Sequence, residues 1–505
     1  MRHRGLSQQV EGQDATQNLL VSSSARFRQL ERFNFKSNTY DFDGVNPELA
    51  IHFQSLYWDR QLDVSAVIYR PLFMRHMACG GPYFSKLLLN AICLTASYDR
   101  LTAGCMFRRR ITELVNYHMT RSEITTRSLA WLYSGMAINM IMDLGIQTHH
   151  RSDRKVKGLS SEESEMRKRL FWGAYVLDKF QSLYQGRPIR LGEADASIPL
   201  GSLDEYEEYD QLDSVSYGSS LSYLAIPARY VSTLRRYCSL SIIMSRMLET
   251  LYTEHSLSGD PSVLFESSAS LGRQLQSWYD NLHPGLTAEH LGPFASTASP
   301  HTLTLAALYH TLQILLHRPF VSDGHLRSVS SSVATVAFEA CVTAVEAIHD
   351  TLNTYSTTLS IGLAPYSVSY ATYVKPRGSY AHNCLPNCLV ILREHQLLFL
   401  GSKRALKVIL SLIQAMGVEM EDQEAGSSNR EETTGRITGF HSTYDMDIII
   451  RSFDISQMID QQSFESRPPP EGHTQYSGTV NAMDFSDFLL PLDPLFGLDT
   501  FQGML

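Results

Sequence analysis

Residues 128–145 read SLAWLYSGMAINMIMDLG and residues 167–179 read RKRLFWGAYVLDK, and this pair of segments decides the fold. The pair is followed by GRPIR at residues 186–190 and DASIPL at residues 195–200. Apolar residues in both long segments have the spacing of helices, and glycine and proline lie where those helices should end. The region therefore predicts two packed helices joined to a tight turn, which is a packing unit and not a catalytic one.

In the first predicted helix, apolar residues recur every three or four positions. The expected buried face consists of Leu129, Leu132, Met136, Met140 and Leu144, widened by Tyr133, Ala137 and Ile141. Gly145 follows the last periodic residue, so it is expected to end the helix.

The second predicted helix begins at a recognisable cap. Ser160 is followed three residues later by Glu163, which is the pattern of a capping box. Gly186 is expected to stop the helix, and Pro188 prevents it from resuming. The expected inner face consists of Met166, Leu170, Phe171, Ala174 and Leu177.

The order of these motifs resembles the middle homology region of fungal-specific transcription factors of the zinc-binuclear-cluster (Zn2Cys6) family. The residues that carry this resemblance are Trp131, Ala137, Leu144, Gly145, Arg167, Arg169, Phe171, Trp172, Asp178, Gly186, Arg187, Pro188, Asp195 and Pro199. A second resemblance to the same family lies in LYHTLQILLHRPF at residues 308–320. The resemblance implies a helical regulatory domain in a protein of gene control.

Composition and periodicity predict an all-α fold. The 505 residues are 43% hydrophobic and 19% charged, so a large core is expected. The expected organisation is a flexible polar segment at 1–45, one large multi-helix domain at 46–417, a disordered linker at 418–475 and an acidic, apolar tail at 476–505. The amino terminus lacks the apolar core of a signal peptide, and the most apolar window, 129–146, is interrupted by polar residues, so no membrane contact is expected.

The distribution of cysteines departs from the pattern of the resembled family. Family members carry six clustered cysteines near the amino terminus that bind two zinc ions, whereas the first cysteine here is Cys79. We therefore expect no cofactor and no zinc cluster in this chain. The net charge of −9 argues against a chain-wide nucleic-acid surface, but it does not exclude a small basic module. Direct contact with DNA and contact through a partner therefore both stay open. The seven scattered cysteines are typical of reduced thiols in an intracellular protein.

Two groups of residues have the chemistry of metal ligands. His310 and His317 lie seven residues apart on one helix face, and His382, Cys384 and Cys388 lie close together in the sequence. Neither group has the fourth ligand that a structural zinc site needs, so both are interpreted as structural and no metal site is predicted. Basic runs at 108–110 and 151–157 fit either a nuclear import signal or a solvated surface.

The last thirty residues contain no lysine or arginine and interleave carboxylates with bulky apolar side chains. This composition is typical of an activation segment that folds into a short helix in a coactivator groove. The residues expected to contact the coactivator are Phe485, Phe488, Leu489, Leu492, Leu495 and Phe496. A tail that packs on its own domain is the alternative.

No phosphate-binding glycine loop, Gly-x-Ser-x-Gly elbow or His-Glu-x-x-His pair occurs in the sequence, so no enzyme is predicted. The resemblance implies a nuclear fungal transcriptional regulator, an activator of metabolic genes that include specialised-metabolite clusters. Its expected partners are transcription coactivators and a second copy or a related regulator. Two alternatives are a regulator without DNA contact that dimerises with a full-length relative, and an unrecognised helical enzyme or ligand receptor.

Overall fold

The computed structural model describes nine long ranges of the chain: residues 2–59, 67–97, 126–147, 160–211, 228–253, 259–283, 299–321, 330–373 and 379–396. It also describes short pieces within 106–111 and 402–411, and at 256, 286 and 324–326. Contacts divide the chain into two units. The first includes the described residues up to Ala405, and the second extends from Leu406 to Met483. Of the second unit, only helical residues within 406–411 are described.

The predicted all-α fold is confirmed, because the described residues form helices and short turns and contain no β-strand. The first four helices are α1 (Arg2–Lys36), α2 (Pro47–Asp59), α3 (Arg70–Cys79) and α4 (Lys86–Ala96). They are followed by α5 (Thr126–Asp143), α6 (Ser161–Gln185), α7 (Tyr230–Leu251) and α8 (Pro261–Asp280). The last four are α9 (Pro300–His317), α10 (Ser331–Thr358), α11 (Tyr366–Tyr373) and α12 (Ser379–His395).

Helix α9 lies at the centre of the larger hydrophobic core and contacts α7, α8, α10 and α11. It begins after Ser299, whose hydroxyl accepts a hydrogen bond from the Thr302 amide, and Pro300 occupies its first turn. Most of its residues are buried on every side, which is why its sequence shows little polar periodicity. The helix ends in a 3₁₀ turn at Arg318–Phe320, as Pro319 predicts.

Two further clusters of buried residues lie beside this core. Helices α2, α3 and α4 share an aromatic cluster that includes Phe53, Trp58 and Phe73. A small third cluster is formed by Tyr69, Leu72 and Tyr206.

The amino-terminal helix α1 is anchored to the clusters by ion pairs. Arg28 contacts Asp210, and Glu31 accepts a 2.8 Å hydrogen bond from Arg70. The ring of Phe27 packs edge-on against Tyr206. The packed part of the chain therefore begins before residue 46, where the sequence placed the start of the domain.

The predicted ends of the two central helices are confirmed. Ser160 and Glu163 form both hydrogen bonds of a capping box at the start of α6. Gly186 ends α6 in the left-handed conformation at φ 61°, and Gly145 has φ 60° just after α5.

The predicted buried face of α5 is mostly wrong, although Ile141 is buried as predicted. Met140 and Leu144 are 60% and 59% exposed, and Tyr133, Met136 and Ala137 are exposed as well. The side that packs against α6 carries Ser134, Gly135, Ile138 and Ile141. Small residues there allow close approach, and the hydroxyl of Ser134 donates a 2.8 Å hydrogen bond to Gln181 of α6.

The predicted inner face of α6 is only partly correct. Phe171 is fully buried, but Met166, Leu170, Ala174 and Leu177 are half-buried. The helix is buried on several sides, and the fully covered residues include the charged side chains of Arg169, Asp178 and Lys179. Their polar partners are described below.

Helix α10 is long and apolar enough to cross a membrane by length and composition alone. A core helix of a soluble domain passes the same test, and α10 packs Cys341, Ala344 and Ile348 into the main core against α9.

The linker at 418–475, the tail at 476–505 and the basic run at 151–157 lie outside the described residues. So do Arg108 and the side chains of His382 and Cys384.

Candidate functional site: the Gly-Arg-Pro turn and its two helices

Asp178 of α6 fixes the turn that follows its own helix. One oxygen of its buried carboxylate, Oδ2, accepts hydrogen bonds from the amides of Arg190 and Leu191, at 3.0 and 3.1 Å. The same oxygen accepts a third hydrogen bond, at 2.9 Å, from the ammonium group of Lys179. The turn is therefore held through its backbone by a charged acceptor, which gives stronger hydrogen bonds than a neutral one.

Lys179 completes this buried anchor. Its ammonium group also donates to the carbonyl of Leu191 and lies 4.3 Å from the centre of the Tyr175 ring. Burial lowers the pKa of Lys179, while the charge of Asp178 opposes that shift. Asp178 and Lys179 thus compensate each other's charge in the core, and removal of either would leave the other unpaired.

The turn places two arginines against α5. The guanidinium carbons of Arg187 and Arg190 lie 4.6 and 4.1 Å from the centre of the Trp131 ring. Arg190 also donates a 3.2 Å hydrogen bond to the Trp131 carbonyl. A Cβ atom on Gly135 would lie 2.1 Å from Nη1 of Arg190, so the glycine is what lets this guanidinium rest against the helix.

A second buried network holds the start of α6 to residues 203–211. Arg169 forms ion pairs with Glu165 at 2.9 Å and with Glu207 at 2.6 Å, and its guanidinium carbon lies 5.0 Å from the centre of the Tyr69 ring. Glu208, next in the chain, accepts a 2.8 Å hydrogen bond from the amide of Ser232 at the start of α7. This network connects α6, α7 and the aromatic clusters, so Arg169 has a structural role.

Opposite the arginines, α5 and the residue that follows it present an exposed apolar surface that we call the α5 stripe: Tyr133, Met136, Ala137, Met140 and Leu144. At its carboxyl end, Arg167 donates a 3.0 Å hydrogen bond to the Leu144 carbonyl. Five apolar side chains in a row on one exposed helix face are more typical of a contact surface than of random exposure.

Of the candidate metal ligands, the structure describes the side chains of His310, His317 and Cys388. His310 forms a 3.0 Å hydrogen bond with Gln313, and burial lowers the pKa of His317. Cys388 is buried. Within the described part of the chain, no group of three or more histidine, cysteine, aspartate and glutamate side chains is arranged to hold a metal ion.

Sequence reasoning identified the Gly-Arg-Pro turn but missed how Arg187, Arg190 and Trp131 meet. Trp131 is far in the sequence from Arg187 and Arg190, so periodicity and local motifs do not predict their contact. The family pattern nevertheless contains Trp131 and Arg187. The six tail residues, from Phe485 to Phe496, lie outside the described part of the chain, so their role stays a prediction.

Comparison with known proteins places this unit in a family. Residues 114–280 match the fungal specific transcription factor domain, and this range contains α5, α6, the turn, α7 and α8. The chain thus carries a domain of the fungal-specific transcription factor family.

Relatives of known name agree with this assignment. An uncharacterized transcriptional regulatory protein of Schizosaccharomyces pombe is 24% identical over 64% of this chain and 56% of its own length. The nitrogen assimilation transcription factor nirA of Emericella nidulans is 25% identical over 62% of this chain and 38% of its own length. An ABC-transporter-regulating transcription factor of Aspergillus fumigatus is 27% identical over 35% of this chain and 19% of its own length.

The chain spans about half the length of the first curated relatives that it matches, at 56%, 50% and 56%. No solved structure is significantly similar to it.

Proposed function

We propose that the chain is a nuclear transcriptional regulator of a fungus. The single observation that carries this proposal is the match of residues 114–280 to the fungal specific transcription factor domain. Relatives named as transcriptional regulators support it, and their names favour a regulator over an enzyme. The relatives named for nitrogen assimilation and for ABC-transporter regulation favour metabolic or transport genes as targets. Specialised-metabolite clusters belong to the proposed targets because the family resemblance of the sequence implies them.

In this proposal the tail activates transcription by recruiting a coactivator. The support is its composition: four aspartates and no lysine or arginine in the last thirty residues, with apolar residues between them. Phe485, Phe488, Leu489, Leu492, Leu495 and Phe496 would enter an apolar groove, while the carboxylates keep the free segment in solution.

The activation proposal is tested by tethering residues 476–505 to a foreign DNA-binding domain and measuring reporter transcription. We expect activation, and a loss of most of it when Phe485 and Phe488 are both changed to Ala. A matched control changes Ser486 and Gln502 to Ala, which leaves the apolar set intact. A silent tail, or equal activity of the double Phe variant and the control, would contradict the proposal.

A second candidate function is regulation through a partner, with a second copy of the chain or a related regulator supplying any DNA contact. The α5 stripe favours it, because an exposed row of apolar side chains gains free energy when a second protein covers it.

Light scattering on the full chain tests the second candidate. We expect a dimer in the wild type and a shift to monomer in Met140→Asp, because a carboxylate on the stripe would be desolvated at the interface. Val263→Asp is the matched control, since Val263 is a similarly exposed apolar residue on α8. A monomeric wild type at all concentrations, or equal dissociation of both variants, would contradict dimerisation through the stripe.

A further inference from the structure

Arg187 differs from most of the buried and partly buried arginines in having no acidic partner among the described residues. Arg28, Arg70, Arg169, Arg235 and Arg246 each form an ion pair with a carboxylate. Within the described residues, no carboxylate lies within 4.0 Å of the guanidinium of Arg187 or Arg190. Two positive groups thus meet on one aromatic ring without a neutralising charge.

One hydrogen-bond donor of Arg187 is also unused among the described residues. Its Nε atom is buried and has no hydrogen-bond partner, whereas Arg190 has the Trp131 carbonyl as acceptor. Burial, and then the positive charge of Arg190, lower the pKa of Arg187. Both effects disfavour a cation at this place, and the charge of an anion between the two groups would offset them by stabilising both guanidinium groups.

The backbone around the two arginines is fixed independently of any ligand. Gly186 turns the chain in the left-handed conformation, and Pro188 restricts the next step. Asp178 holds the Arg190 and Leu191 amides. Gly135 leaves the room in which the Arg190 guanidinium lies. The arrangement is therefore preorganised, which reduces the entropic cost of binding.

We propose that Arg187, Arg190 and Trp131 form a binding site for a small molecule that carries a carboxylate or phosphate group. Guanidinium groups bind such oxyanions through paired, charge-assisted hydrogen bonds, and here two of them are available on a fixed turn. The Trp131 ring holds both cations in place by cation–π contact.

The test measures thermal unfolding and tryptophan fluorescence of the full chain in chloride, inorganic phosphate and succinate at one ionic strength, so that general screening is constant. We expect phosphate, succinate or both to raise the unfolding temperature over chloride. A response to phosphate alone assigns a phosphoryl ligand, and a response to succinate alone assigns a carboxylate ligand. No response to either in the folded wild-type chain would overturn the proposal.

Variants assign the effect to the site. Arg187→Gln should weaken the binding of the oxyanion by about tenfold or more, which is the usual effect of losing a charge-assisted hydrogen bond. Arg236→Gln is the matched control: Arg236 is also partly buried without an ion pair among the described residues, and its guanidinium donates to the Asn281 carbonyl. Equal affinity of Arg187→Gln and wild type would overturn the proposal.

Gly135→Ala provides a test that leaves every binding group in the chain. The added methyl group must displace the Arg190 guanidinium, so oxyanion affinity should fall while helix content by circular dichroism stays unchanged. Unchanged affinity in this variant would exclude Arg190 from the site.

Discussion

At the residue scale, the carboxylate of Asp178 is the group on which the central turn depends. It accepts hydrogen bonds from two backbone amides and one ammonium group, and all of these partners are within 3.1 Å. A buried lysine that loses its counter-ion has no water to replace it, so the cost of removing the carboxylate exceeds the sum of the lost hydrogen bonds.

Asp178→Ala should therefore lower the free energy of unfolding by about 3–5 kcal/mol. The measurement is urea unfolding followed by circular dichroism. Asp143→Ala, which removes an exposed carboxylate at the end of α5, should change the free energy of unfolding by less than about 0.5 kcal/mol. A loss at Asp178 as small as that at Asp143 would mean that the turn is held by other contacts.

At the scale of the element, α5 shows which structural features the sequence predicts and which it does not. The ends of α5 and α6 follow from local chemistry, because a capping box and a left-handed glycine act within a few residues. The buried face of α5 does not follow, because the helix is apolar on several sides and periodicity alone cannot choose between them. The choice is made by a neighbour distant in sequence: α6 packs against the side of Ser134, Gly135 and Ile138.

A pair of substitutions on α5 distinguishes the observed face from the face predicted by periodicity. Ile138→Ala should destabilise the fold by about 2–4 kcal/mol, because it opens a cavity between α5 and α6. Met140→Ala, two residues further along the same helix, should change the free energy of unfolding by less than about 0.5 kcal/mol. The reverse order of the two losses in chemical unfolding of the isolated chain would support the face predicted from the sequence.

The candidate site, like α5, could be predicted from the sequence only in part. The Gly-Arg-Pro turn and its helices could be located from motif order, but the charges inside the fold could not. Arg169, Asp178 and Lys179 are charged residues on a helix, and a hydrophobic pattern assigns such residues to the surface. They are buried because each meets an opposite charge or a carbonyl supplied by another segment.

At the scale of the whole molecule, buried histidines make stability depend on pH. Burial lowers the pKa of His301 to about 3 and lowers the pKa values of His317 and His395 as well. Above about pH 6.5 these histidines are neutral in both the folded and the unfolded chain. Below that value the unfolded chain takes up protons that the folded chain does not, so stability falls as the pH falls.

Each such histidine lowers the free energy of unfolding by up to about 1.4 kcal/mol per pH unit below pH 6.5. Urea unfolding at pH 7.5 and 5.5 should show this loss, and His301→Phe should reduce it, because the variant ring cannot be protonated. His52→Phe, a change at an exposed histidine of α2, should leave the loss as it is in the wild type. An equal loss in wild type and His301→Phe would contradict the role of His301.

We propose that this helical protein controls transcription, and turnover of a metabolite is the competing activity. The most direct measurement is rapid, induced depletion of the chain in the cells that encode it, followed by sequencing of nascent transcripts. The account predicts that a defined set of transcripts changes soon after depletion, before growth changes. Unchanged transcription, with the accumulation of a small molecule that the purified chain converts, would contradict it.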